Sequence, residues 1–230
     1  MGLIRLFVMW LALTGAAWAD DTARTITVTG EGSVAAAPDM AVISLGATHQ
    51  DRDARVAMDR VSDDVAAIFA RLEGLGIAPS DMQTDGVSLQ PVWDQGYSSG
   101  QSRRISGFVA SNTVTIRARD LEALGGLLNA VLEDGANRFG GLRFAVQEPK
   151  PLRDAARAAA VADALDRAGL MASAAGVTLG PIRTMREGGG HAGPVMMEMA
   201  AARSADVPIA PGELTMQAQV EVVFDLIVDQ

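Results

Sequence analysis

From Met216 to Val228 the chain alternates. Met216, Ala218, Val220, Val222, Phe224, Leu226 and Val228 share one face, while Gln217, Gln219, Glu221 and Asp225 take the other. Side chains repeat every two residues along a strand, so this run predicts a strand with one buried and one wet face. That is the signature of an antiparallel sheet. A doubly wound parallel sheet, covered on both sides, would need near-continuous apolar strands instead.

Other segments repeat the theme. After Pro38, Ala41, Ile43, Leu45 and Ala47 line one face of a strand, and residues 82–93 predict another with Val87 and Leu89 together and Pro91 near its end. Phe108, Ala110, Val114, Ile116 and Ala118 share a face of a long strand that Asn112 interrupts. A buried Asn112 would need a hydrogen-bond partner. Further strands are expected around Leu142 to Val146 and at 179–186. Thr25 to Thr29 alternates and meets Gly30-Glu31-Gly32, which reads as a short strand and a turn.

Between these strands the period changes. Val61, Val65, Ile68, Leu72 and Leu75 follow helical spacing and stop at Gly74 to Gly76. Asp120 is a suitable N-cap for a helix with Leu121, Leu124, Leu128 and Val131 as its stripe, ending at Asp134-Gly135. The longest helix, about 152–175, begins after Pro149 and Pro151. Its wet side carries Arg153, Arg157, Asp163, Asp166 and Arg167, its opposite side is nearly all Ala, and Gly176 suits the C′ position. Helices interleaved with one-face-wet strands predict an α+β fold of antiparallel sheets, each covered on one face by helices.

The N-terminus reads as an address. Arg5 precedes the apolar run Leu6 to Leu13, and Ala17-Trp18-Ala19 offers the small-x-small pattern of signal-peptidase cleavage. Residues 1–19 are therefore expected to be removed, leaving a mature periplasmic chain of 20–230. The apolar run is too short to span a bilayer, which takes about 20 residues, and no later stretch reaches that length. Losing Arg5 takes the formal charge from −9 to −10. Such an acidic chain repels phosphate backbones, so nucleic acid is not an expected partner. With no cysteine, stability outside the cytoplasm rests on packing alone.

Several segments, in order, resemble the SIMPL-domain family. They are Val28-Thr29-Gly30-Glu31-Gly32 with Pro38-Asp39-Met40-Ala41, Gly76-Ile77 with Asp81-Met82-Gln83-Thr84, and Gly107-Phe108-Val109-Ala110-Ser111-Asn112 with Arg119-Asp120-Leu121. The series continues through Pro151-Leu152-Arg153-Asp154-Ala155-Ala156, Ala174-Ala175-Gly176-Val177 with Leu179-Gly180, and Pro211-Gly212-Glu213. The resemblance covers nearly the whole mature chain. It implies an exported bacterial α+β protein associated with the envelope and outer membrane, with stress defence and with oligomer formation. It implies no catalytic residues and no cofactor.

Chemistry-bearing motifs are sparse. Gly96-Tyr97-Ser98-Ser99-Gly100 spells G-x-S-x-G, but a nucleophile elbow needs a strand-to-helix turn, and here a strand follows. Gly30-Glu31-Gly32-Ser33-Val34-Ala35 imitates a dinucleotide fingerprint without the helix that would receive the pyrophosphate. The two histidines, His49 and His191, have no neighbours at ligand spacing; His49 reads as an exposed strand-end residue. The segment 187–213 is rich in Gly, Pro, Ala and Met and is expected to be a mobile excursion. Within it His191, Met196, Met197 and Met199 form a candidate soft-ligand set for Cu(I). The leading expectation is a non-enzymatic envelope protein acting as a homo-oligomer. Copper or small-ligand binding comes second, and a hydrolase around Ser98 third.

Overall fold

The computed structural model describes residues 24–94, 104–188, 195–197 and 209–227. The elements run β1 (Thr25–Ala36), β2 (Met40–Asp51), α1 (Ala54–Gly74), a 3-10 turn (Pro79–Asp81), β3 (Met82–Trp93) and β4 (Ile105–Ala118). They continue with α2 (Leu124–Glu133), β5 (Arg138–Ala145), α3 (Pro149–Ala174), β6 (Thr178–Glu187), β7 (Val195–Met197) and β8 (Glu213–Ile227). The strands form two sheets. One has the order β3-β4-β2-β5; the other has β1-β8-β6, with β7 also on β8. Every pairing is antiparallel, as the alternating strands required.

Each sheet has its own helical cover and its own core. In the four-strand sheet, Ala41, Ile43, Leu45 and Ala47 of β2 and Ala110, Val114 and Ile116 of β4 lie beneath Val61, Val65, Ile68 and Leu72 of α1. Leu124, Leu127, Leu128 and Val131 of α2 complete that core. In the other sheet, Val28 of β1 and Val220, Val222 and Phe224 of β8 pack under Ala160, Ala164 and Ala168 of α3. Burying each of the Val, Leu, Ile and Phe side chains contributes about 1.5–3 kcal/mol, and each Ala methyl less than about 1 kcal/mol. Among the described residues, no helix or strand of one sheet packs extensively on an element of the other. The joints are the crossovers after β1 and β5 and the approach to β8, where Ile209 packs against the four-strand core.

Helix boundaries follow local chemistry. Asp53 caps α1 by accepting the backbone N–H groups of Arg55 and Val56. Asp120 accepts those of Glu122 and Ala123, so it caps a turn just ahead of α2 rather than the helix itself. Gly76 (φ 87°) and Gly176 (φ 69°) hold the left-handed conformation that ends α1 and α3. The next residue then bonds back, Ile77 to the Leu72 carbonyl and Val177 to that of Ala172, each at 3.0 Å. Leu75 departs from the expected buried stripe. It sits at the C-cap, just beyond the last helical turn, and is exposed.

The largest correction concerns Gly30-Glu31-Gly32, which is not a turn. β1 runs straight through it and pairs with β8 from Thr25↔Asp225 to Ala36↔Leu214. The glycines are there for proximity. A Cβ at Gly30 would lie 2.1 Å from the Ala160 carbonyl oxygen, and one at Gly32 would lie 2.1 Å from that of Ala156. Ala156, Ala160, Ala164, Ala168 and Ala172 form the matching buried stripe on α3. Backbone meets backbone where neither side carries bulk.

The excursion at 187–213 also holds an element that alternation did not reveal. Val195–Met197 pair with β8 through Val195↔Thr215, Met196↔Leu214 and Met197↔Glu213.

Candidate functional site

Two polar clusters stand out among the described residues. The first sits where the two sheets join. Arg119, just after β4, donates from Nε and Nη2 to the two carboxylate oxygens of Asp81, each at 3.0 Å. Its Nη1 donates to Oε1 of Gln147 at 2.5 Å. Gln147 reaches in turn to Asp39: its backbone N–H donates to Oδ1 at 2.8 Å, and its side-chain amide donates to the backbone carbonyl at 3.2 Å. Asp39 ends the crossover from β1 to β2, and Gln147 lies in the crossover from β5 to α3. The chain Asp81–Arg119–Gln147–Asp39 therefore ties both crossovers to the end of β4. Asp81 is nearly buried, and the Arg119 hydrogen bonds hold its carboxyl below the usual carboxylate range.

The second cluster lies at the far end of β2. His49 Nε2 is 2.5 Å from a carboxylate oxygen of Asp64 on α1, and both side chains are half-buried. This corrects the expectation of an exposed strand end: β2 continues to Asp51, and His49 points toward α1. Next to it, Asn137 takes the place of a strand partner where the β5 ladder ends. Its Oδ1 accepts the Thr48 backbone N–H at 2.7 Å, and its Nδ2 donates to the Thr48 carbonyl at 3.0 Å.

A His–Asp pair invites comparison with a hydrolytic site, which needs a nucleophile beside the imidazole. Thr48 and Ser111 are paired across the β2–β4 ladder, so they share the sheet face opposite to His49. Their hydroxyls are already engaged. Arg138 donates to Ser111 Oγ at 3.3 Å, Ser111 to Thr48 Oγ1 at 2.9 Å, and Thr48 to the Ala110 carbonyl at 2.9 Å. The arrangement fastens β2, β4 and β5 together and aligns no nucleophile with His49.

On the other sheet, α3 reaches around the outer strand β1. Asp163 accepts the Glu31 backbone N–H at 2.8 Å, and Arg167 donates to the Thr29 carbonyl at 3.0 Å while pairing with Asp163 at 2.9 Å. Both lie on the solvent-accessible side of α3, as the sequence predicts, and there they also occupy hydrogen-bonding groups that β1 would leave open. An open groove of about 560 Å³ lies beside them, lined by Glu31, Ser33, Gln217 and Gln219. The Asn112 side-chain oxygen is buried, yet among the described residues it has none of the hydrogen-bond partners that burial was expected to require.

Of the residues singled out from sequence, Ser98, His191 and Met199 lie outside the described residues, as does the 1–19 segment. Met196 and Met197 are placed by backbone, in β7. Among the described residues, no group of three or more His, Cys, Asp or Glu side chains could hold a metal ion. No helix there is long and apolar enough to cross a membrane. The Asp81–Arg119–Gln147–Asp39 chain is not visible in the sequence, although Asp39, Asp81 and Arg119 fall within segments that carry the family likeness.

Fold and clusters together define an α+β protein of two helix-covered antiparallel sheets, with a polar clasp at the crossovers that leave the four-strand sheet. The chain belongs to the SIMPL family, described as a protein of unknown function (DUF541), whose model matches residues 26–224. It is 33% identical over 210 residues to the 26 kDa periplasmic immunogenic protein of Brucella melitensis biotype 1, covering 87% of this chain and 84% of the relative. It is 31% identical over 208 residues to the uncharacterized protein YggE of Escherichia coli K12, covering 87% and 82%.

Proposed function

We propose that this chain is an exported, homo-oligomeric envelope protein that works through its surfaces and not by catalysis. The observation behind this reading is a sheet with two outer strands, β3 and β5, that expose apolar side chains and pair with no further described strand. Such edges are templates for another chain. The polar clusters support the same reading, because their hydrogen bonds serve to join strands, helices and crossovers. Light scattering over a wide concentration range is the test. A monomeric mass throughout would sink the proposal.

The periplasmic placement is drawn from the 1–19 signal pattern and from the periplasmic name of the Brucella relative. Intact mass of the envelope form should correspond to a chain starting at Asp20; an intact Met1 would refute cleavage. A stress-defence role belongs to the same reading, as an implication of the family resemblance. Copper(I) or small-ligand binding through His191, Met196, Met197 and Met199 is a second reading. Its support is the soft thioether and imidazole chemistry of these four residues. Equilibrium dialysis with Cu(I) against a Met→Ala control decides it, since binding no tighter than the control ends the idea.

A further inference from the structure

We infer that the oligomer forms by continuing the four-strand sheet from copy to copy, with β5 of one chain pairing antiparallel with β3 of the next. This rests on the oligomeric reading above and specifies its contact.

Direction and face both permit it. Strands in this sheet alternate up and down in the order β3-β4-β2-β5. A second copy rotated about an axis parallel to the strands therefore presents its β3 antiparallel to β5, with the helix-covered faces on the same side.

The side chains on the two edges then match. Val87 and Leu89 lie opposite Asn112 and Ala110 of β4, so they share the helix-covered face. They are nevertheless 55% and 42% exposed. On β5, Phe139 and Leu142 lie opposite Leu45 and Ile43, again on the helix-covered face, and Phe139 is 56% exposed. The open face carries charge. β3 and the residue after it contribute Asp85 and Asp94 with no base, whereas β5 contributes Arg138 and Arg143 with no acid. Asp85 is on the open face, where it accepts from Thr115, and Arg143 lies opposite Val42 on that face.

Register follows from the irregularities. β3 has a bulge between Thr84 and Gly86, and the β2–β5 ladder shifts between Ser44 and Leu45, where β5 has the extra residue Gly140. Setting Asp85 and Gly86 together against Arg143 puts Val87 opposite Leu142 and Ser88 opposite Gly141. Gly140 then absorbs the second bulge, so that Leu89 meets Phe139 and Gln90 meets Arg138. Every pair shares a face. A bulged edge deters regular strands, but two edges bulged at complementary places accept each other. Pro91, which cannot donate to a ladder, falls beyond the paired stretch. The contact joins different surfaces head to tail, so it propagates past a dimer.

The cysteine-free chain makes the test direct. Leu89→Cys combined with Phe139→Cys should give, on mild oxidation, a ladder of cross-linked species larger than dimer, since directly opposed strand residues lie within disulfide reach. Each single variant should give none. Separately, Asp85→Arg and Arg143→Asp should each weaken assembly by about fivefold per contact, and the double exchange should restore it. Assembly without the ladder and without charge sensitivity overturns this register while leaving the oligomer intact. A Leu89→Cys variant that cross-links to itself overturns it in favour of a β3–β3 contact. A wild-type chain that stays monomeric refutes both the register and the oligomer.

Discussion

Arg119 grips Asp81 through two hydrogen bonds of 3.0 Å, and the same guanidinium holds Gln147 on a crossover between the sheets. That side chain thus links the end of the four-strand sheet to one crossover directly and, through Gln147, to the other at Asp39.

Its contribution should depend on pH in a definite direction. Hydrogen bonds from Arg119 chiefly depress the Asp81 carboxyl; burial opposes them, and the Arg119 and Arg117 charges add to the depression. A depressed carboxylate stabilises the fold above its unfolded value, about pH 4, and loses that effect as pH falls through the lower folded value. Arg119→Ala should therefore lower the urea midpoint clearly at pH 7, with the gap from wild type narrowing below about pH 4. Gln147→Ala removes a neutral link and should show a gap that does not change over that range. Equal behaviour of the two variants would contradict the assignment.

The glycines of β1 make a steric prediction. Gly32→Ala brings a methyl group to 2.1 Å from a backbone oxygen of α3, a distance no side-chain adjustment relieves. The helix must lift from the sheet, at a cost of about 3 kcal/mol. Gly169→Ala, on the same helix with nothing within 4 Å of the added carbon, is the control and should be neutral or stabilising by up to about 1 kcal/mol. Chemical denaturation of both variants gives the comparison.

Asp163 satisfies a backbone donor of the outer strand, so its removal should act through β1. Asp163→Ala should cost about 1 kcal/mol and speed amide exchange at Glu31, while Asp163→Asn keeps an acceptor and should recover most of the loss. Unchanged exchange at Glu31 in the alanine variant would show that water replaces the side chain at no cost.

Much of the architecture is legible in the sequence. β8 and β2 were visible because burial on one face imposes a period of two, and α1 because its core residues repeat at helical spacing. Residues 82–93 were read as one strand, and β3 occupies those residues. The SIMPL likeness was legible as an ordered series of short segments. Gly30-Glu31-Gly32 misled, because glycine signals a turn and a close approach equally well in one dimension. His49 misled because its partner, Asp64, comes from a different element. Asp163 and Arg167 were read by helical face alone, which cannot show that an outer strand lies within reach.

By itself, then, the chain determined most of its strands, its three helices, their antiparallel pairing class and the family to which it belongs, since periodicity and short-range capping chemistry are written in local order. Only the tertiary structure decided that the strands divide into two sheets with separate cores, that α3 meets β1 through glycine and alanine, and that Asp39, Asp81, Arg119 and Gln147 meet at one joint. Those facts depend on contacts between residues far apart along the chain, where steric fit and hydrogen-bond reach select among arrangements that local pattern leaves equal.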